Sequence, residues 1–424
     1  MSTLLEIASR HIEEIAAIRR DIHANPELGF EELRTSALIA SKLRQWGVEV
    51  EQGVAGTGVV GTIRGKRGGQ GAVSRPAAPK ANTEALLREG TPASPAIGLR
   101  AEMDALALCE LNTLPHASKV QGRMHACGHD GHTAMLLGAA QALAENPDFE
   151  GVVHLIFQPA EEGRGGALAM IEDQLFERFP CARIFGMHSH PALPLGTFGT
   201  RKDEMMAASG RWEVRFSGTG GHGGANPHLS CDLSVVAAHF MLALQTAVSR
   251  NTPPLEPTII SVGHISAGDP KALNVMPAEL RISGTMRAFT PAVQKLLERR
   301  ILEHANAFAA TEGATAEVKC WWISVPLVND RDATETALSA AASVVGESGV
   351  SGDLARVTAG EDFSYMMTRR PGSFMLIGNG RHEGDGGDNL HTPRYDFNDK
   401  ALPVGIAYWL AIVNKELGGR LGTS

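Results

Sequence analysis

The stretch HACGHDGHTAMLLGAA, residues 125–140, packs three histidines, one cysteine and one aspartate into eight residues and runs directly into an apolar helical pattern. Thiolate and imidazole are soft and nitrogenous donors, the types that bind zinc and its neighbours. Cys127 and His129 stand two residues apart just before the helix. In an extended segment both side chains face the same way and can share a metal ion. Cys-x-His spacing also occurs in ordinary cores, so by itself it leaves both readings open. Two further segments carry donors of the right type after apolar runs: Glu161 and Glu162 follow GVVHLIFQP, and His188 closes ARIFGM. Paired acids after a strand can equally serve as the negative charges of a helix N-terminus. His391, in the polar segment NLHTPRYDFND, reads in isolation as a surface histidine.

The elements that would position these residues alternate helical periods with short apolar runs, the texture of an α/β domain. TSALIASKLRQWG reads as a helix ended by Gly47, and GVVGTIRG, AIGLRAEMD, GVVHLIFQPA and ARIFGMHSH read as strands. Open α/β sheets place their sites at the carboxyl ends of strands, where these donors fall. Between Gly65 and Pro95 the composition shifts to Gly, Pro, Ser, Ala and Lys, which reads as a long exposed hairpin loop with a short helix around ANTEALLREG. From residue 206 the order is strand (SGRWEVRFSGTGG), helix, two strands (PTIISVGHISAG, AELRISGTMRAF), helix, strand (ATAEVKCWWIS). This β-α-β-β-α-β order is the ferredoxin-like split unit. The α/β texture resumes at Val325, so residues 206–324 read as a domain inserted into a discontinuous one made of 1–205 and 325–424.

With 424 residues and 43% of them hydrophobic, the chain can bury two cores. A net charge of −8 without a run of five basic residues argues against nucleic acid and membrane surfaces, leaving small molecules as partners. The N-terminus reads as an amphipathic helix and not a signal peptide, and no later apolar run is long enough to cross a bilayer. Five cysteines without paired spacing fit a reducing compartment. The expected location is the cytoplasm.

HACGHDGH, FQPAEEGRGGA, GMHSHP, GTGGHGGANPH, NVMP, AGEDF and LHTPRYDFND occur in this order. Together they resemble the M20 metallopeptidases, in particular the aminoacylase and hippurate hydrolase-like amidohydrolases, from RDIHANPELGFEE to the end of the chain. The resemblance implies a zinc-peptidase-like α/β catalytic domain with an inserted ferredoxin-like dimerisation (lid) domain, hence a homodimer or higher homo-oligomer. It implies two divalent ions (Zn, Mn, Co or Ni) held by Cys127, His129, Glu162, His188 and His391. Glu161 is then the general base, since in an extended backbone it could not point at the same ion as Glu162. His222, in the glycine-rich turn, is implied to reach the partner subunit's active site and stabilise the oxyanion. Asn274 and Arg287 match positions that contact substrate, with Arg287 gripping a free carboxylate through two parallel hydrogen bonds. Asp130 is expected to cap the helix or orient a ligand imidazole, and His132 to support a ligand.

The sequence also departs from the family pattern. Glu102 stands where aspartate is usual, Ala107 where proline is common, Ser189 and His190 where Asn and Trp are usual, and Asn226 where methionine is usual. His190, beside the metals, is a possible extra ligand. The implied activity is hydrolysis of N-acyl amino acids of the hippurate type. The competing readings are a dipeptidase or aminobenzoyl-glutamate-type hydrolase on the same scaffold, and a non-catalytic metal- or ligand-binding protein.

Overall fold

The computed structural model describes residues 3–67, 95–380 and 388–422. The loop and short helix expected between Gly65 and Pro95 fall almost wholly outside the described residues. Two compact units are present: Met1–Asp203 with Val328–Ala355 and Tyr365–Ser424, and Glu204–Leu327 with Arg356–Ser364.

The first unit is built on an eight-stranded sheet. Strands β1 (Glu49–Val54), β2 (Gly58–Arg64), β3 (Ala96–Glu102), β4 (Val152–Gln158) and β5 (Arg183–Pro191) lie in the order β1-β2-β4-β3-β5, continued by the strand Gly372–Gly380 and two short strands. β4, β3, β5 and Gly372–Gly380 run parallel to one another, whereas β1 and β2 are antiparallel additions. Every residue of β3 and β4 is buried, which explains their mostly apolar runs, and the polar residues they do carry, Arg100, Glu102, His154 and Gln158, are buried with them. Because the four strands are parallel, their carboxyl ends share one edge.

The helix expected after HACGHDGH spans His129–Glu145 and is buried continuously from His129 to Leu143. It packs against the helices Ile12–Ala24 and Leu402–Glu416. A helix buried all round belongs inside a layered core, and this one carries the cysteine and histidine cluster at its N-terminus. The helix expected at TSALIASKLRQWG runs over Leu33–Gln45, and Gly47 follows at φ 77°.

The second unit has a four-stranded antiparallel sheet in which Ile259–Ala267, Glu279–Ala288, Ala208–Ser217 and Thr315–Trp322 lie side by side in that order. Numbered along the unit this is 2-3-1-4, the ferredoxin-like arrangement. The helices Leu233–Thr246, capped by Asp232, and Pro291–Thr311, capped by Thr290, cover one face. Arg356–Ser364 joins this unit, a segment that the sequence pattern leaves with the other. Backbone pairing draws it in, since Ala207 N–H donates to the Val357 carbonyl at 3.0 Å. Leu233–Asn251 is long and apolar enough to cross a membrane by length and composition. Leu233, Val236, Ala237, Phe240 and Leu244 of this helix are buried in the second unit's core, at helical spacing, while Val235 and Leu242 are exposed.

Candidate metal centre

β3, β4 and β5 deliver the site residues to one edge. Past the end of β3 stands Asp104, past β4 stand Glu161 and Glu162, and near the end of β5 stands His188. His391 arrives from a loop beside Ala126, whose carbonyl accepts its backbone N–H at 2.8 Å. The five expected ligands converge. Cys127 Sγ lies 3.4 Å from His188 Nε2 and 3.3 Å from His391 Nε2, and His391 Nε2 lies 3.2 Å from Glu162 Oε1. Ligand atoms within 4.8 Å of one another form the groups Cys127–His129–His188, Cys127–Glu162–His391 and His129–Glu161–Glu162. Cys127 belongs to the first two.

The backbone does this differently from the extended path expected. Gly128 is left-handed at φ 85°, and His129 already begins the helix, so a turn and not strand alternation brings Cys127 and His129 together. A Cβ at Gly128 would lie 2.6 Å from both Ser189 Oγ and Tyr395 Oη, so only glycine fits. Glu161 and Glu162 likewise sit in a turn, entered through Ala160 at φ 55°, and both carboxylates reach the group around His129. The premise that an extended backbone separates the two acids does not hold.

The donors fit an ion. His129 Nδ1 is 2.9 Å from the Asp104 carbonyl oxygen and 3.2 Å from Asp104 Oδ1, so it donates and Nε2 is the lone-pair nitrogen. That Nε2 is buried without a hydrogen-bond partner, and Glu162 Oε1 is buried with only His391 Nε2 beside it at 3.2 Å. His188 Nδ1 donates to the Ser189 carbonyl at 2.7 Å and so turns its own Nε2 toward Cys127. Buried orphaned acceptors are costly unless a cation takes them. His190 belongs to none of the groups, and its Nδ1 bonds to the Pro191 carbonyl.

Asp104 was not singled out in the sequence, although an acid two residues beyond a buried strand was the available signal. Burial would raise its pKa, but hydrogen bonds from His129 and from the backbone N–H groups of Glu162 and Glu161 hold it below the ordinary carboxylate value. Glu162 N–H donates to Asp104 Oδ2 at 2.9 Å. One carboxylate thus orients a histidine of one segment and the acidic turn of another. Asp130 neither caps the helix nor touches a ligand imidazole. It accepts from His23 at 2.8 Å and from Arg19 at 3.3 Å. Burial alone would lower the pKa of His23, yet Asp130 and Glu110 outweigh it and raise it to about 9. Arg19 also reaches Asp396 and Asp399, which follow His391 in the chain. This buried ion-pair cluster anchors the helix that begins at His129.

The second unit holds His222, Asn274 and Arg287. His222 and Val275 are paired in a two-stranded ribbon, and Gly223 N–H donates to the Asn274 carbonyl at 2.9 Å. His222 Nδ1 accepts from the N–H groups of Gly224 (3.2 Å) and Ala225 (3.1 Å), so its proton sits on Nε2, in an exposed turn. Arg287 lies on the sheet. Its Nε donates to the Thr358 carbonyl at 3.0 Å, and its Nη1 to Thr285 Oγ1 and to the Met286 carbonyl. Among the described residues only Nη2 is left without such a bond, so a two-nitrogen grip on a carboxylate is closed in this arrangement.

The model of peptidase family M20/M25/M40 matches residues 98–415. A hippurate hydrolase of Campylobacter jejuni is 36% identical over 404 residues, covering 95% of this chain and 97% of the relative. An IAA-amino acid hydrolase of Arabidopsis thaliana is 38% identical over 395 residues, covering 92% and 82%. Among solved structures, a dinuclear metal-binding M20 peptidase of Bacillus subtilis is 29% identical with a TM-score of 0.76, covering 95% of this chain and 97% of that one. Buried donors gathered at the carboxyl edge of a parallel sheet, a ferredoxin-like second unit and a family match across most of the length agree: the chain belongs to peptidase family M20/M25/M40.

Proposed function

We propose that this chain hydrolyses the amide bond of N-acyl amino acids, releasing a carboxylic acid and an amino acid. The observation that carries the reading is the cluster of Cys127, His129, Glu162, His188 and His391 beside Glu161, with the buried Nε2 of His129 unpartnered. The relatives named as hydrolases of hippurate and of IAA-amino acids support the substrate class. We assign the five residues as ligands of two divalent ions, with Cys127 shared between them, since it joins His129 and His188 in one group and Glu162 and His391 in another. Thiolate favours zinc, and the imidazole and carboxylate donors also suit manganese, cobalt or nickel. When bound, such ions supply Lewis acidity to the scissile carbonyl and acidify the attacking water.

Glu161 takes the proton from that water as its oxygen bonds to the carbonyl carbon, then gives it to the nitrogen as the C–N bond breaks. His222, protonated on Nε2, is a donor for the developing oxyanion. It serves the active site of a second copy in a homodimer. Large apolar side chains exposed in the second unit, among them Leu229, Leu242, Ile265 and Val275, support contact with that copy. Asn274 contacts the substrate, and Arg287 receives its free carboxylate through Nη2. None of the five cysteines is in a disulfide, which supports a reducing location such as the cytoplasm.

The decisive experiment compares two acids. Glu161→Gln should keep near-normal metal content and lose roughly a hundredfold to ten-thousandfold in turnover of an N-acyl amino acid. Glu162→Gln should lose metal. The reverse pattern would overturn the assignment.

A further inference from the structure

Two departures from the family's usual residues, Glu102 and Ser189, meet at one imidazole. His132 Nδ1 lies 3.0 Å from Glu102 Oε2, and His132 Nε2 lies 2.8 Å from the backbone nitrogen of Ser189 and 3.0 Å from Ser189 Oγ. A backbone N–H can only donate, so Nε2 accepts and the ring proton sits on Nδ1, facing the carboxylate. Both ring nitrogens are therefore engaged within the protein. Although His132 lies close to His129 and Glu102, it has no lone pair to offer an ion.

The chain continues from Ser189 Oγ to Tyr395 Oη at 2.9 Å. At its other end Glu102 pairs with Arg100, whose Nε donates to Gln158 Oε1 at 2.8 Å. Glu102, His132, Ser189 and Tyr395 are all at most 1% exposed. Without competing water, each hydrogen bond has one partner to go to, and a broken link leaves an unsatisfied buried group.

Each link belongs to a segment that carries candidate ligands. His132 is on the helix that starts at His129, Ser189 follows His188, and Tyr395 comes four residues after His391. Gly128, between Cys127 and His129, passes directly over the Ser189–Tyr395 link. These segments are remote in sequence and have no covalent reason to share a geometry.

We propose that Glu102–His132–Ser189–Tyr395 is a positioning chain that sets the mutual placement of the segments bearing Cys127 and His129, His188, and His391. It rests on those four residues being metal ligands. His132 and Tyr395 act through them and touch neither ion nor substrate.

The test uses the full-length metal-depleted protein with Tyr395→Phe and Ser189→Ala, each of which removes a hydroxyl and little else. Cobalt(II) affinity is measured by competition with a chromophoric chelator, the ligand-field and sulfur-to-cobalt bands by absorption, and metal-free stability by thermal unfolding. Both variants should unfold within a few degrees of the parent when metal-free, bind cobalt about 10- to 100-fold more weakly, and show shifted ligand-field bands. The double variant should cost no more than the weaker-binding single one, because both break the same link. Parent-like cobalt affinity and bands in both single variants would overturn the proposal, even if stability fell. Loss of the ligand reading itself has a different signature: a parent protein without a sulfur-to-cobalt band that Cys127→Ser removes.

Discussion

Replacing Asp104 by asparagine changes one atom and removes one charge at the point where two ligand-bearing segments meet. In the parent the carboxylate accepts from His129 Nδ1–H at Oδ1 (3.2 Å) and from Glu162 N–H at Oδ2 (2.9 Å), with the Glu161 N–H also bonded to it. An amide has one acceptor and one donor end, so one of these N–H groups must face an NH2. The His129 side yields more easily, because Nδ1 keeps the Asp104 carbonyl oxygen at 2.9 Å. The amide oxygen then stays on Glu162 as a neutral acceptor, and His129 loses the negative charge behind it. Losing one hydrogen bond to a charged group costs about 1.5–3 kcal/mol. If that cost falls on the metal-binding geometry, it corresponds to roughly a 10- to 100-fold loss of affinity, the range usual for residues that support metal ligands. Asp104→Asn should therefore still fold, with zinc or cobalt affinity lowered by that factor in competition with a chelator. Affinity within about twofold of the parent would refute the reasoning that Asp104 holds His129 and Glu162 in place.

Three further outcomes are expected. Glu161→Ala and His222→Ala homodimers should each be nearly inactive, since an oxyanion donor alone is worth about a hundredfold to a thousandfold; after subunit exchange, about a quarter of the parent's sites should reappear if His222 serves the partner subunit, and no recovery would exclude a shared site. Arg287→Lys should lower kcat/KM for a free-acid substrate more than for the corresponding substrate amide, and equal losses would make Arg287 structural. His154 is buried, accepts from or donates to Thr62 Oγ1 at 3.0 Å, and burial pushes its pKa down to about 4. Its folded value is thus below the unfolded one of about 6.5, so the unfolded chain binds the extra proton. The parent should lose on the order of 3 kcal/mol from this residue as pH falls from about 6.5 to about 4. Denaturant unfolding of His154→Gln should show a flatter pH dependence over that window, and an unchanged slope would mean that His154 does not titrate there.

The chain's local patterns settled a good deal. Periodicity placed three of the four parallel strands, though not Gly372–Gly380, and the buried helix after HACGHDGH, because burial on both faces leaves a signature that neighbours in sequence already carry. The β-α-β-β-α-β order of the second unit was legible for the same reason. Donor chemistry marked Cys127, His129, the Glu161–Glu162 pair and His188, each next to an element whose end could be read. His391 had no such mark, and only the ordered set of motifs drew attention to it. Tertiary structure decided which groups meet. Arg19 finds Asp130 from 111 residues away, and Ser189 finds Tyr395 from 206 residues away. Asp104 meets Glu162 because β3 lies beside β4 in the sheet, and His129 because its helix packs on β3. Strand order is a global packing outcome, and a hydrogen-bond partner supplied by a neighbouring strand leaves no trace in the spacing of either segment. Turns made the remaining difference: left-handed Gly128 and Ala160 redirected side chains that an extended path would have sent elsewhere, because a single positive φ reverses the direction in which the chain leaves it.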